Sequence, residues 1–201
     1  MRKGILATWL CLLFMGICVL FWRNEWIYNL PTPVPENYRA VQTGTTIDTD
    51  ATGAWGTVHN KPLFLHFFNP QCPCSKFNMP HFKSLVKQYG QEVNFAIVVM
   101  SNKSYTAREM QERFDLDIPV LFDSAIAAAC GVYATPQAVI LDKNDQLYYR
   151  GNYNKSRYCT DTKSNYAQIA LESLLHKTPA ARFDAAALQA YGCQLPTCNK
   201  E

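Results

Sequence analysis

Leu63 to Pro80 reads LFLHFFNPQCPCSKFNMP. Its first six residues carry one polar side chain, His66, and lie between Lys61-Pro62 and Asn69-Pro70. An apolar run this short, closed by prolines, predicts a strand buried on both faces. Beyond the cysteines, Phe82, Leu85, Val86 and Tyr89 recur at helical spacing until Gly90, so the strand runs into a helix opened around Cys72-Pro73-Cys74. Pro80 falls inside that helix and is expected to bend it. A thiol at a helix start lies beside unpaired backbone N–H groups and the positive end of the helix dipole, and both favour the thiolate. Cys72 is therefore the candidate nucleophile, with Lys76 a nearby positive charge.

Downstream, Val93–Met100 reads as an adjoining buried strand, and Thr106 with Glu109 has the spacing of a capping box. Val120–Phe122 predicts a short strand and Ser124–Cys130 a short helix closed by Gly131. Two strands follow, Gln137–Leu141 and Gln146–Arg150, joined by a polar turn at Asp142–Asp145, and a helix is expected from Ser164 to His176. Strand–helix alternation ending in a hairpin and a helix predicts an α/β fold, a central mixed β-sheet flanked by helices.

Phe67 to Pro80 resembles the active-site segment of the thioredoxin-like superfamily, in particular its TlpA-like and peroxiredoxin-like thiol oxidoreductases. The resemblance implies a thioredoxin-like fold and makes Cys72 the attacking cysteine. Gln71 stands where the family has tryptophan and Ser75 where it has its second cysteine, so the nearest partner thiol is Cys74, in a C-P-C spacing. Thr135-Pro136 ahead of a strand is the second family mark. It implies a cis peptide beside the attacking sulfur, with Thr135 and Pro136 binding an extended client segment. The chain also resembles an uncharacterised thioredoxin-like family carrying CPCS-F-N, a downstream cysteine and a C-terminal Gly-Cys, over roughly Pro62 to Cys198.

Gly4 to Trp22 contains no charged residue, and nineteen helical residues reach roughly 28 Å, enough to cross a bilayer's hydrocarbon. The segment ends in Leu20-Phe21-Trp22-Arg23 and lacks the small residues of a signal-peptide cleavage site, which favours a retained anchor. Arg2 and Lys3 precede it, placing the N-terminus in the cytoplasm and the rest outside, in a bacterium-like periplasm. The expected organisation is an N-terminus and anchor over 1–27, a proline-containing linker over 28–60, a thioredoxin-like domain over 61–178 and a cysteine-containing tail over 179–201. A formal charge of +3 argues against nucleic acid as a partner.

Eight cysteines suit an oxidising compartment. Cys159, Cys193 and Cys198 lie in polar stretches and are candidates for a structural disulfide pinning the tail, with the pairing open. Cys130, among alanines, reads as a small apolar helix residue, though it is also an alternative resolving thiol. The expected activity is thiol–disulfide exchange through Cys72 and Cys74 with client thiols or disulfides and an upstream redox partner. No cofactor is required, because the sulfurs carry the electrons. Two alternatives compete: a Sco-like copper metallochaperone, disfavoured by its wider cysteine spacing and by the positions of the four histidines, and a non-catalytic adaptor. A peroxidase is weaker still, since Asn69 stands where a threonine would be needed.

Overall fold

A computed structural model of the chain describes residues 2–26, 29–49, 60–156, 158–178 and 181–195. Cys198 and part of the linker expected over 28–60 lie outside the described residues.

Five strands form one sheet in the order β3-β2-β1-β5-β6: β1 (Leu63–Phe68), β2 (Asn94–Val99), β3 (Val120–Leu121), β5 (Gln137–Leu141) and β6 (Leu147–Gly151). β1 pairs parallel with β2 and antiparallel with β5, and β6 closes one edge antiparallel to β5. Helix α2 (Pro73–Tyr89) makes the parallel crossover from β1 to β2, and α3 (Ala107–Phe114) the crossover from β2 to β3. The order, the mixed pairing and a cis peptide at Thr135-Pro136 are those of a thioredoxin-like fold.

Every residue of β1 is buried, the expected consequence of a strand covered on both faces. On one face Phe64, Phe82 and Phe95 pack with ring centroids 5.3 to 6.0 Å apart, joined by Leu85, Ile97, Ile140 and Leu171 of α5 (Tyr166–Leu175). On the other, Leu65, Phe67, Val98 and Val139 pack against Ile126 and Cys130 of α4 (Ser124–Cys130). Burying each such side chain contributes roughly 1.5–3 kcal/mol. α3 carries the capping box in full, Thr106 accepting from the Glu109 N–H while Glu109 accepts from the Thr106 N–H. Gly131 caps α4 at φ +68°, a left-handed conformation that suits glycine.

The helix expected from Ser164 begins at Tyr166, because Asp161 caps a separate 3₁₀ turn at Thr162–Ser164. The cysteine-containing tail holds α6 (Ala185–Leu188), capped by Asp184, and β7 (Cys193–Gln194). Between the N-terminal helix and the sheet, residues 29–49 run along the domain. Tyr38 donates to the Gly131 carbonyl, Arg150 Nη1 to that of Val41, and Thr46 bridges Gln146. Arg2–Trp26 is one continuous helical stretch, α1 (Arg2–Phe21) followed by a π-helical turn, long and apolar enough to cross a membrane.

Candidate functional site

The turn Asn69-Pro70-Gln71-Cys72 carries the chain from β1 into α2. The Cys72 N–H donates to the Asn69 carbonyl at 3.0 Å, with proline at the second turn position, where its fixed φ fits. The Asn69 side chain accepts from the Gln71 N–H, and Ser75 Oγ accepts from the Asn69 N–H at 3.2 Å. Ser75, at the place of the family's second cysteine, thus ties the turn to the helix. Cys72 is the N-cap in extended conformation and Pro73 opens the helix, the position where a missing N–H costs nothing. The helix therefore starts one residue before Cys74, which is buried inside its first turn.

The sulfur of Cys72 is bonded to Cys193, 121 residues along the chain, across a Cα–Cα distance of 6.1 Å. This corrects the expectation that Cys74 is its partner. Cys74 is buried inside the first turn of α2, whereas β7 brings Cys193 to Cys72 at the N-cap of that helix. The structural-staple reading changes with it. Cys193 belongs to the Cys72 pair, and Cys159 donates its S–H to Asn78 Oδ1 at 2.6 Å. Asn78 in turn donates to the Cys74 carbonyl at 3.0 Å, fastening the 152–165 loop to α2.

β4 (Ala134–Thr135) sits beside the sulfurs, ahead of cis-Pro136. Its partner is β7, antiparallel, with Thr135 opposite Cys193 and Ala134 opposite Gln194. The Thr135 carbonyl oxygen lies 3.6 Å from Cys72 Sγ, a contact and not a hydrogen bond, because the bonded sulfur carries no hydrogen. Cys72, Thr135, Pro136 and Cys193 are thus one constellation. Cys72 is only 1% exposed although Gln71 and Pro73 on either side are exposed, so the sulfur is covered from above by tertiary contacts.

A cavity of about 210 Å³ opens next to the disulfide, walled by Cys74, Asn78, Pro136, Tyr153, Lys155 and Gly192. Behind it the Tyr153 hydroxyl meets His66 Nδ1 at 2.6 Å, and full burial lowers the His66 pKa to about 3, which keeps the ring neutral. Burial pushes the Cys130 and Cys159 thiols up to about 12, with Arg150 opposing the shift at Cys130. Both stay protonated and are poor nucleophiles at neutral pH. Among the described residues no three His, Cys, Asp or Glu side chains converge in a way that would hold a metal ion.

Sequence reasoning favoured a structural bridge for Cys193 over a redox relay through the tail, whereas the structure joins Cys193 to Cys72. The signal was the Gly192-Cys193 step: glycine at φ +130° fits where a Cβ would run into the Thr135 carbonyl oxygen.

Comparison with known proteins agrees with this architecture. The thiol-disulfide oxidoreductase ResA of Halalkalibacterium halodurans is 24% identical over 93 residues, 45% of this chain and 53% of ResA, so the chain spans about half the length of that curated relative. A hypothetical protein of Sinorhizobium meliloti superposes with a TM-score of 0.60 at 16% identity, over 79% of this chain and 96% of its own. An uncharacterised conserved protein of Geobacillus kaustophilus superposes with a TM-score of 0.59 at 18% identity, over 82% and 97%. Both likenesses concern the fold. Residues 42–198, which contain both halves of the disulfide and the Thr135-Pro136 corner, match one family throughout, and the chain belongs to that family, described as a domain of unknown function (DUF6436).

Proposed function

We propose that the chain is a membrane-anchored thiol–disulfide oxidoreductase, with its domain on the extracytoplasmic side, in which Cys72 exchanges with client proteins and Cys193 is its partner in the oxidised state. The observation that carries this reading is the bond between a helix N-cap sulfur and a cysteine held opposite Thr135, beside cis-Pro136. In the reaction a client thiolate attacks the Cys72–Cys193 bond and forms a mixed disulfide with Cys72, releasing Cys193 as a thiol. A second client thiol then attacks the client's own sulfur and displaces Cys72. Two electrons pass from client to protein, and the upstream redox partner removes them. Thr135 and Pro136 line the client seat, and Cys74 is a second thiol in the cavity wall beside it. The ResA similarity supports the chemistry. A basic Arg2-Lys3 start before an apolar helix, and a disulfide, which persists in oxidising compartments, support the orientation.

The test uses the oxidised full-length protein in detergent and a peptide bearing two thiols. Formation of the peptide disulfide with matching appearance of Cys72 and Cys193 thiols is expected, together with a Cys72-linked peptide accumulating in Cys193→Ser. Exchange in Cys72→Ser at the wild-type rate would refute the reading.

A further inference from the structure

The tail changes character at Ala190. Up to that residue it is bolted to β6: the Asn152 side chain donates to the Ala186 and Gln189 carbonyls at 2.8 and 2.6 Å, the Asn152 N–H to Ala187, and Ala187 and Ala190 are fully buried. The Thr32 N–H donates to the Ala190 carbonyl at 2.8 Å. None of these contacts depends on the disulfide. Past Ala190, the residues from Tyr191 to Leu195 are half-buried or exposed. They are held by the two-residue β4–β7 ladder, by an antiparallel bridge between Pro31 and Tyr191, by Leu195 N–H donating to the Tyr133 carbonyl at 3.3 Å and the Leu195 side chain packing on the core, by Thr32 Oγ1 donating to the Gly192 carbonyl at 3.2 Å, and by the Cys72–Cys193 bond. The ladder is only two residues long and Leu195 alone adds apolar packing on the core cluster, so local stability is low and the covalent bond is the strongest single restraint on this segment. Thr135 Oγ1, fully buried, has no hydrogen-bond partner among the described residues while the strap is in place.

We infer that Tyr191–Leu195 is a latch: the chain's own extended Gly-Cys segment occupies the edge of β4 that receives a client's cysteine-bearing strand, and reduction of Cys72–Cys193 frees that edge. This deepens the proposed function and rests on it. In the latched form backbone pairing at Thr135 is taken, so a thiol must open the Cys72–Cys193 bond before a client segment can pair there. A dithiol reductant, or a client thiol, converts the Cys72–Cys193 bond into two thiols or into one thiol and a mixed disulfide. The strap then swings from its fixed point at Ala190, and an extended segment pairs with β4 in its place. The seat takes glycine before the cysteine, because at Gly192 the φ of +130° and the closeness of the Thr135 carbonyl leave no room for a side chain.

The experiment has two arms, both on the full chain in detergent. In the first, hydrogen exchange at the amides of residues 193–195 is followed before and after reduction. Release of the latch accelerates it about tenfold or more, with β1 and β5 amides unmoved; unchanged protection overturns the inference. In the second, reduced Cys193→Ser meets two peptides, Ala-Tyr-Gly-Cys-Gln-Leu and the same with alanine before cysteine, each activated as a thionitrobenzoate disulfide. Cys72 attacks the peptide sulfur, the peptide–Cys72 bond forms and thionitrobenzoate leaves. The glycine peptide is expected to react about tenfold faster, the scale of one residue's steric strain. Equal rates overturn the latch while leaving Cys72 exchange intact, whereas failure of Cys72 to react even with a small aromatic disulfide defeats the proposed function itself.

Discussion

Thr135 and Cys193 face each other in an antiparallel pair while the Thr135 carbonyl touches the sulfur to which Cys193 is bonded, so backbone pairing and covalent linkage converge on one corner. The tail is thereby a part of the site.

The Cys72–Cys193 bond closes a loop of 121 residues. Its loss in Cys193→Ala should lower stability by about 2–5 kcal/mol, because the open chain gains conformational entropy. The urea midpoint of the variant should match that of reduced wild type. Cys74→Ser should retain the Cys72–Cys193 crosslink, read by mass spectrometry of the linked peptides after alkylation. A Cys72–Cys74 crosslink in wild type would contradict the structure.

Asn152 supplies the fixed point of the tail through two side-chain donations. Asn152→Ala should cost about 1–2 kcal/mol, since two part-buried hydrogen bonds are lost. It should also lower the effective concentration of Cys193 at Cys72, making the disulfide easier to reduce. Equilibration against a glutathione buffer reads this directly, and a wild-type ratio of thiol to disulfide would show that Asn152 does not position the strap.

His66 is held neutral, its pKa lowered by burial from 6.5 to about 3. Below about pH 6.5 the unfolded chain binds a proton there that the folded chain refuses, so this stability is complete above that pH and is lost as pH falls towards 3. At pH 5 the loss should be about 2 kcal/mol, from roughly 1.4 kcal/mol per pH unit. Urea unfolding at pH 7.5 and 5 measures it, and the decrease should flatten in His66→Gln.

The apolar helix over Arg2–Trp26 has no residue buried against the domain within α1. A chain lacking residues 2–26 should leave the membrane fraction on carbonate extraction, and an impermeant thiol reagent applied to intact cells after reduction should label Cys193 in the full-length protein. Labelling only after lysis would reverse the proposed orientation.

By itself, the sequence determined the elements whose signals are local. β1 was legible because an unbroken apolar run between prolines admits few other conformations, α3 because Thr106 and Glu109 cap each other three residues apart, and the α4 end because Gly131 can take a positive φ. It also placed Cys72 at the strand-to-helix junction, and the motif brought Thr135-Pro136 to it. The partner of Cys72 was decided by tertiary structure alone. A cysteine two residues away is close in sequence, but the start of α2 buries Cys74 within its own turn, while Asn152 and β4 carry Cys193 across 121 residues to the sulfur. Closing a long loop costs only slightly more entropy than closing a shorter one. Separation along the chain therefore says little about which thiols meet, and the geometry of the folded edge selects the pair.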